Sequence, residues 1–110
     1  MFASSIHSEK VFQGEFQSIV TGSGNTLVVV DFTAAWCGPC QRIAPIFEQM
    51  AEEMTDVHFI KVDVDKNDET AVACSINAMP TFQFYKNGNK LDEFSGADVN
   101  KLRQMVIKLK

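Results

Sequence analysis

The sequence predicts an α/β fold, a largely parallel sheet with helices on both faces and an antiparallel hairpin at one edge. Three observations carry this. Apolar strand-like runs alternate with stretches of helical spacing along the whole chain, the pattern of crossover connections in a parallel sheet. The run Leu27-Val28-Val29-Val30-Asp31-Phe32 is apolar almost throughout, as in a strand covered on both faces. Asn87-Gly88, set between Thr81–Tyr85 and Lys90–Phe94, is the dipeptide of a tight hairpin.

In chain order, Ala3 to His7 reads as a short first strand. Ser8 is placed to cap a helix in which Phe12, Phe16, Ile19 and Val20 recur on one face. Gly22-Ser23-Gly24-Asn25 ends it. After the Leu27–Phe32 strand, a helix begins near Gln41, with Ile43, Ile46, Phe47, Met50, Ala51 and Met54 on its buried side. Pro45 lies inside that pattern, where it removes a backbone donor and is expected to kink the helix. Val57 to Val64 is a strand, Asp65 to Glu69 a solvated polar loop, and Glu69 to Cys74 a short helix. The hairpin follows Met79-Pro80. Gly96 breaks its second strand, and Asp98 caps a last helix that turns Val99, Leu102, Val106 and Leu109 inward.

Bulk properties narrow the function. The 110 residues, 45% of them apolar, suit a single domain (1–110) with one core. A net charge of -4 argues against nucleic acid or an anionic membrane as the main partner, since both are polyanions. No apolar stretch approaches the length of a membrane span. Met1 to Lys10 lacks the basic-then-apolar order of a signal peptide. Three cysteines are an odd number, unlike a disulfide-stapled secreted scaffold. These features point to a soluble protein of a reducing, cytoplasmic compartment.

The chemistry concentrates in Ala34-Ala35-Trp36-Cys37-Gly38-Pro39-Cys40. Cysteines three apart at a helix start have Cα atoms about 5 Å apart, within disulfide range, so the pair can open and close with little backbone movement. The strand-to-helix turn also aims unpaired N–H groups and a helix dipole at the first sulfur, which favours the reactive thiolate of Cys37. Asp31 is the other unusual group. Burial disfavours an ionised carboxylate, so its pKa is expected to rise toward the working range. Against this stands a carboxylate that turns to a solvated edge or pairs with Lys61. For the two cysteines the alternatives are a permanent structural disulfide or half of a zinc site. Zinc needs four ligands, and the remaining candidates, Cys74, His7 and His58, lack ligand spacing.

Together Val30-Asp31-Phe32, Trp36-Cys37-Gly38-Pro39-Cys40, Pro45, Met79-Pro80-Thr81 and Ser95-Gly96-Ala97 resemble the thioredoxin family over nearly the whole chain. The run Met79 to Phe84 is most similar to eukaryotic cytosolic members. The resemblance implies a five-stranded mixed sheet flanked by four helices. It implies protein-disulfide reduction, with Cys37 attacking the target, Cys40 resolving the mixed disulfide, and Asp31 helping to take the proton of Cys40. It implies a cis bond before Pro80, against the plain alternative of a trans proline opening a strand. Trp36, Gly38, Pro39, Met79, Pro80, Gly96 and Ala97 then form an apolar collar for extended segments of many disulfide-containing proteins. For Trp36 the plain alternative is partial burial in the core. The implied donor is thioredoxin reductase, with NADPH acting only through it, no bound cofactor or metal, and a monomeric chain. Gly38-Pro39 carries no histidine between the cysteines, which favours a reductant over an oxidase or isomerase. A binding module gated by redox state is the remaining alternative. Cys74 reads as a small semi-buried filler or a regulatory thiol.

Overall fold

The sheet is organised around β2 (Val28–Thr33), whose Val28, Val29, Val30 and Phe32 have no exposed surface. A strand with apolar side chains on both faces needs a neighbour on both edges and a layer on both sides, and it has them. The protein's computed structural model describes residues 9–10 and 14–110. In it, β1 (Glu9–Lys10), β3 (His58–Asp63), β4 (Thr81–Lys86) and β5 (Asn89–Ser95) join β2 in the order β1-β3-β2-β4-β5. β1 and β2 run parallel to β3, whereas β4 is antiparallel to both β2 and β5. The sheet is therefore mixed, with, among the described residues, four full strands and a short fifth at the edge.

Among the described residues four helices complete the fold: α1 (Phe16–Gly22), α2 (Gly38–Glu53), α3 (Asp68–Ala73) and α4 (Val99–Leu109). One face of the sheet packs Val29, Phe59, Phe82 and Phe84 against Ile43, Phe47 and Met50 of α2 and Leu102 and Val106 of α4. The other packs Val28, Val30, Phe32, Ile60 and Val62 against Phe16 and Val20 of α1, with Cys74 and Ile76 beyond α3 at its margin. The alternation of side chains along each strand sorts the two sets.

Local chemistry accounts for the ends of these elements. Asn87 and Gly88 both have positive φ (55° and 79°), as the tight hairpin turn between β4 and β5 requires. The Asp98 carboxylate accepts the Lys101 N–H and caps α4. α2 continues through Pro45 to Glu53, although Pro45 cannot donate to the Gln41 carbonyl.

Part of the N-terminal expectation needs correction, and part is not described. Ala3 to His7, Ser8 and Phe12 lie outside the described residues. Glu9 and Lys10 are not helical; they pair with Ile60 and Lys61 on the open edge of β3. The helix starts only at Phe16, after Gly14 at φ 90°. Helical spacing of the phenylalanines could not reveal that competition, because the unpaired edge of a distant strand is invisible in local sequence. α2 begins three residues earlier than Gln41, which places the second cysteine inside the helix.

Candidate active site

β2 ends at Thr33, and four residues later Cys37 occupies the N-cap of α2 in an extended conformation (φ -90°, ψ 109°). Its N–H donates to the Ala34 carbonyl at 3.2 Å, closing the turn. Its sulfur accepts the Cys40 N–H at 3.2 Å, the role a serine or aspartate oxygen plays at ordinary helix starts. Pro39 sits in the first turn, where a missing N–H costs nothing. Cys37 and Cys40 form a disulfide, with Cα atoms 5.2 Å apart across that turn. The helix start thus directs its unpaired N–H and dipole at the outer sulfur, which favours the thiolate once the bond is reduced.

Cys40 has no exposed surface, and Cys37 is 6% exposed. The outer sulfur is thus more enclosed than a solvent-facing nucleophile would be, because Ala34, Val64 and Met79 pack around the pair. Beside it lies a cavity of about 320 Å³, lined by Trp36, Cys37, Val64, Ala71, Ile76 and Met79 among others. Trp36 is 68% exposed rather than partly in the core. Its indole Nε1–H donates to the Asp65 carboxylate at 2.9 Å, which holds the ring at the rim.

The Met79–Pro80 bond is cis. Pro80 is buried, and its carbonyl accepts the Gly96 N–H at 2.9 Å, drawing the start of the 95–97 turn onto it. Gly38, Pro39 and Ala97 are exposed. The Thr81 hydroxyl donates to the Ala78 carbonyl and shares a hydrogen bond with Ser95, tying the two segments together. Trp36, Cys37 and Met79 therefore meet at one cavity, while Pro80 and Gly96 meet at one hydrogen bond. Asp65 was not singled out in the sequence. The signal for it was available: β3 runs parallel to β2, so the loops leaving both strands are neighbours.

Asp31 is 1% exposed, and its Oδ1 has no hydrogen-bond partner among the described residues. Burial raises its pKa to about 7; Lys61 pulls it down and Glu48 pushes it up. The alternatives of a solvated edge and a direct pair with Lys61 are both set aside by this geometry. Lys61 stands opposite Asp31 in the parallel register, but its ammonium forms an ion pair with Glu48 on α2. Asp31 shares its face of β2 with Val29, which packs against α2, so the carboxyl lies on the side this helix covers.

The remaining candidates fall elsewhere. Pro45 is an exposed residue within α2. Cys74 is half-buried at the C-cap of α3 and, among the described residues, is in no disulfide; burial pushes its thiol pKa up. His58 Nδ1 lies 3.2 Å from the Ser23 hydroxyl, and His7 lies outside the described residues. Among the described residues no group of three or more His, Cys, Asp or Glu side chains could hold a metal ion, and no helix is long and apolar enough to cross a membrane.

Comparison with known proteins agrees with this geometry. The thioredoxin family model matches residues 7–108. A thioredoxin of Geodia cydonium is 54% identical over 99 residues, covering 89% of this chain and 93% of that protein. A thioredoxin of Ictalurus punctatus is 50% identical, covering 92% and 94%. The crystal structure of Fasciola hepatica thioredoxin superposes with a TM-score of 0.90 at 44% identity, covering 93% of this chain and 99% of that one. A Schistosoma mansoni thioredoxin structure superposes at 0.89 with 42% identity over the full length of both chains. A disulfide that caps a helix, on this sheet and in this company, makes the chain a member of the thioredoxin family, a protein-disulfide oxidoreductase working through the Cys37–Cys40 couple.

Proposed function

We propose that the chain, as one monomeric domain spanning 1–110, reduces disulfides of diverse proteins in the cytoplasm and is recharged by thioredoxin reductase at the expense of NADPH. The observation that carries the exchange and its order of attack is the Cys37 sulfur at the helix start, accepting the Cys40 N–H while Cys40 lies fully buried. In the dithiol form, the Cys37 thiolate attacks one sulfur of a target disulfide. That bond breaks, the first target thiolate leaves, and Cys37 is joined to the target. Cys40 then loses its proton, accepted by Asp31 through water, and its thiolate attacks the Cys37 sulfur. The second target thiolate leaves and the internal disulfide closes. Two electrons have passed to the target, and two from NADPH, through the reductase, reopen the bond.

Asp31 suits that duty because a carboxyl titrating near 7 is ionised often enough to accept a proton yet basic enough to hold it. Trp36, Gly38, Pro39, Met79, Pro80, Gly96 and Ala97 form the collar that receives an extended target segment. Backbone pairing of that kind tolerates many sequences. Lys61 and Pro45 support the site from β3 and α2. A glycine and a proline between the cysteines put no imidazolium beside the thiolate, which favours the reducing direction.

The test is insulin reduction driven by NADPH and thioredoxin reductase. Cys37→Ser should abolish turnover, and Cys40→Ser should accumulate a mixed disulfide at Cys37 that mass spectrometry detects. Full activity in Cys37→Ser would remove the reading. A midpoint potential well above that of the glutathione pool would reverse its direction.

A further inference from the structure

Three charged groups meet on the α2 side of the sheet, and their partners are not the ones the register alone would choose. Parallel pairing sets Lys61 opposite Asp31, both facing the side that α2 covers. A lysine so placed is within the register to close on the buried carboxylate, and an ammonium bound there would hold the group ionised and weaken it as a base. Instead Lys61 reaches Glu48, on the third turn of α2, and the Asp31 Oδ1 stays without a hydrogen-bond partner among the described residues. Relative exposure explains the choice. The Lys61 and Glu48 side chains are 30% and 27% exposed, so both keep much of their hydration as they pair. Pairing at Asp31, 1% exposed, would take the ammonium out of water.

We propose that Glu48 is a positioning residue for proton transfer: by fastening the Lys61 ammonium to its own carboxylate, it leaves the Asp31 carboxyl able to exchange a proton with the dithiol. The inference rests on the reading of Asp31 as the acceptor for Cys40. The other groups on this side do not replace Glu48. Asp63 lies two residues along β3, and Lys10 of β1 is paired with Lys61; both line an open cavity of about 340 Å³ with Lys61. β4 places the uncharged Phe82 opposite Asp31. α2 adds Cys40, which titrates only when the disulfide is open.

The experiment follows the Asp31 carboxyl carbon by NMR as a function of pH in the oxidised protein, where the active-site cysteines do not titrate. Glu48→Gln releases Lys61 toward Asp31 and should lower its midpoint by on the order of one pH unit. Lys61→Met should raise the midpoint above that of the wild type. With Lys61→Met already present, Glu48→Gln should produce less than half of its original shift, because only its direct field remains. An unchanged midpoint in Glu48→Gln, or an equal shift in both backgrounds, would overturn the proposal. The role of Asp31 itself is judged separately: if Asp31→Asn resolves mixed disulfides as fast as wild type, the proton-acceptor reading fails whatever the titrations show.

Discussion

The burial of Asp31 makes a quantitative demand on stability. Its pKa is about 7 in the folded chain against 3.8 for a free carboxyl. Between those values the folded state binds more protons than the unfolded one, so stability falls as pH rises through the window. At 1.36 kcal/mol per unit, the ionised carboxylate destabilises the fold by about 4 kcal/mol above pH 8, and not at all below pH 3. Asp31→Asn removes this dependence. The swap also introduces a fixed offset, because a buried amide has donors to satisfy, on the order of 1–3 kcal/mol. The offset does not vary with pH, so the informative quantity is the difference in unfolding free energy between the two proteins, compared at pH 8.5 and 5.5. Over that interval a group of pKa 7 gains about 2 kcal/mol from protonation while its unfolded counterpart gains almost nothing. Urea unfolding of both oxidised proteins measures it, since an m-value near 2 kcal/mol/M turns the change into roughly 1 M of midpoint. The other carboxylates are common to both proteins and cancel. Stability curves that stay parallel within about 0.5 kcal/mol from pH 5.5 to 8.5 would refute the assignment of a raised pKa to Asp31.

Three further outcomes follow from individual contacts. In the reduced protein at pH 7, substoichiometric iodoacetamide should modify Cys37 ahead of Cys40, which has no exposed surface, and of Cys74, whose thiol burial pushes up; peptide mapping reads the order, and earlier labelling of either would remove the ionised helix-cap sulfur from the mechanism. Asp65→Ala frees the Trp36 indole, and losing a bond of about 0.5–1.5 kcal/mol should raise KM for insulin several-fold with kcat nearly unchanged. Asp98→Ala removes the cap of α4 and should lower stability by about 1 kcal/mol in urea unfolding, leaving insulin reduction intact.

The sequence made the sheet legible because its signals are local. The apolar run of β2, the Asn87-Gly88 turn and the Asp98 cap each act within a few residues, and each lies where the reading placed it. Glu9 and Lys10 depart from the expected helix for the opposite reason. Glu9 and Lys10 are strand because β3 offers them an open edge, and no feature of the two residues announces the partner. The start of α2 was read late because Gly38 and Pro39 look like helix breakers. At a first turn neither needs an intrahelical N–H bond, so their usual penalty does not apply.

The site divides along the same line. Cys37 and Cys40 were readable because one helical turn fixes their separation whatever surrounds them. Asp31 was readable because a carboxylate in a doubly covered strand is anomalous wherever the strand goes. The Lys61–Glu48 pairing was not readable, since it depends on which long side chain finds which partner across elements. Sequence supplies the charges, but burial decides the pairing. Lys61 stands opposite Asp31 in the register, yet its ammonium meets Glu48, the carboxylate that keeps the ion pair wet. The reactive sulfur is thus specified by chain geometry, and the titration of its proton acceptor by a competition among solvated charges. Substitutions at Cys37 should therefore act as an on–off switch, whereas substitutions at Glu48 or Lys61 should slide the pH at which the same chemistry runs.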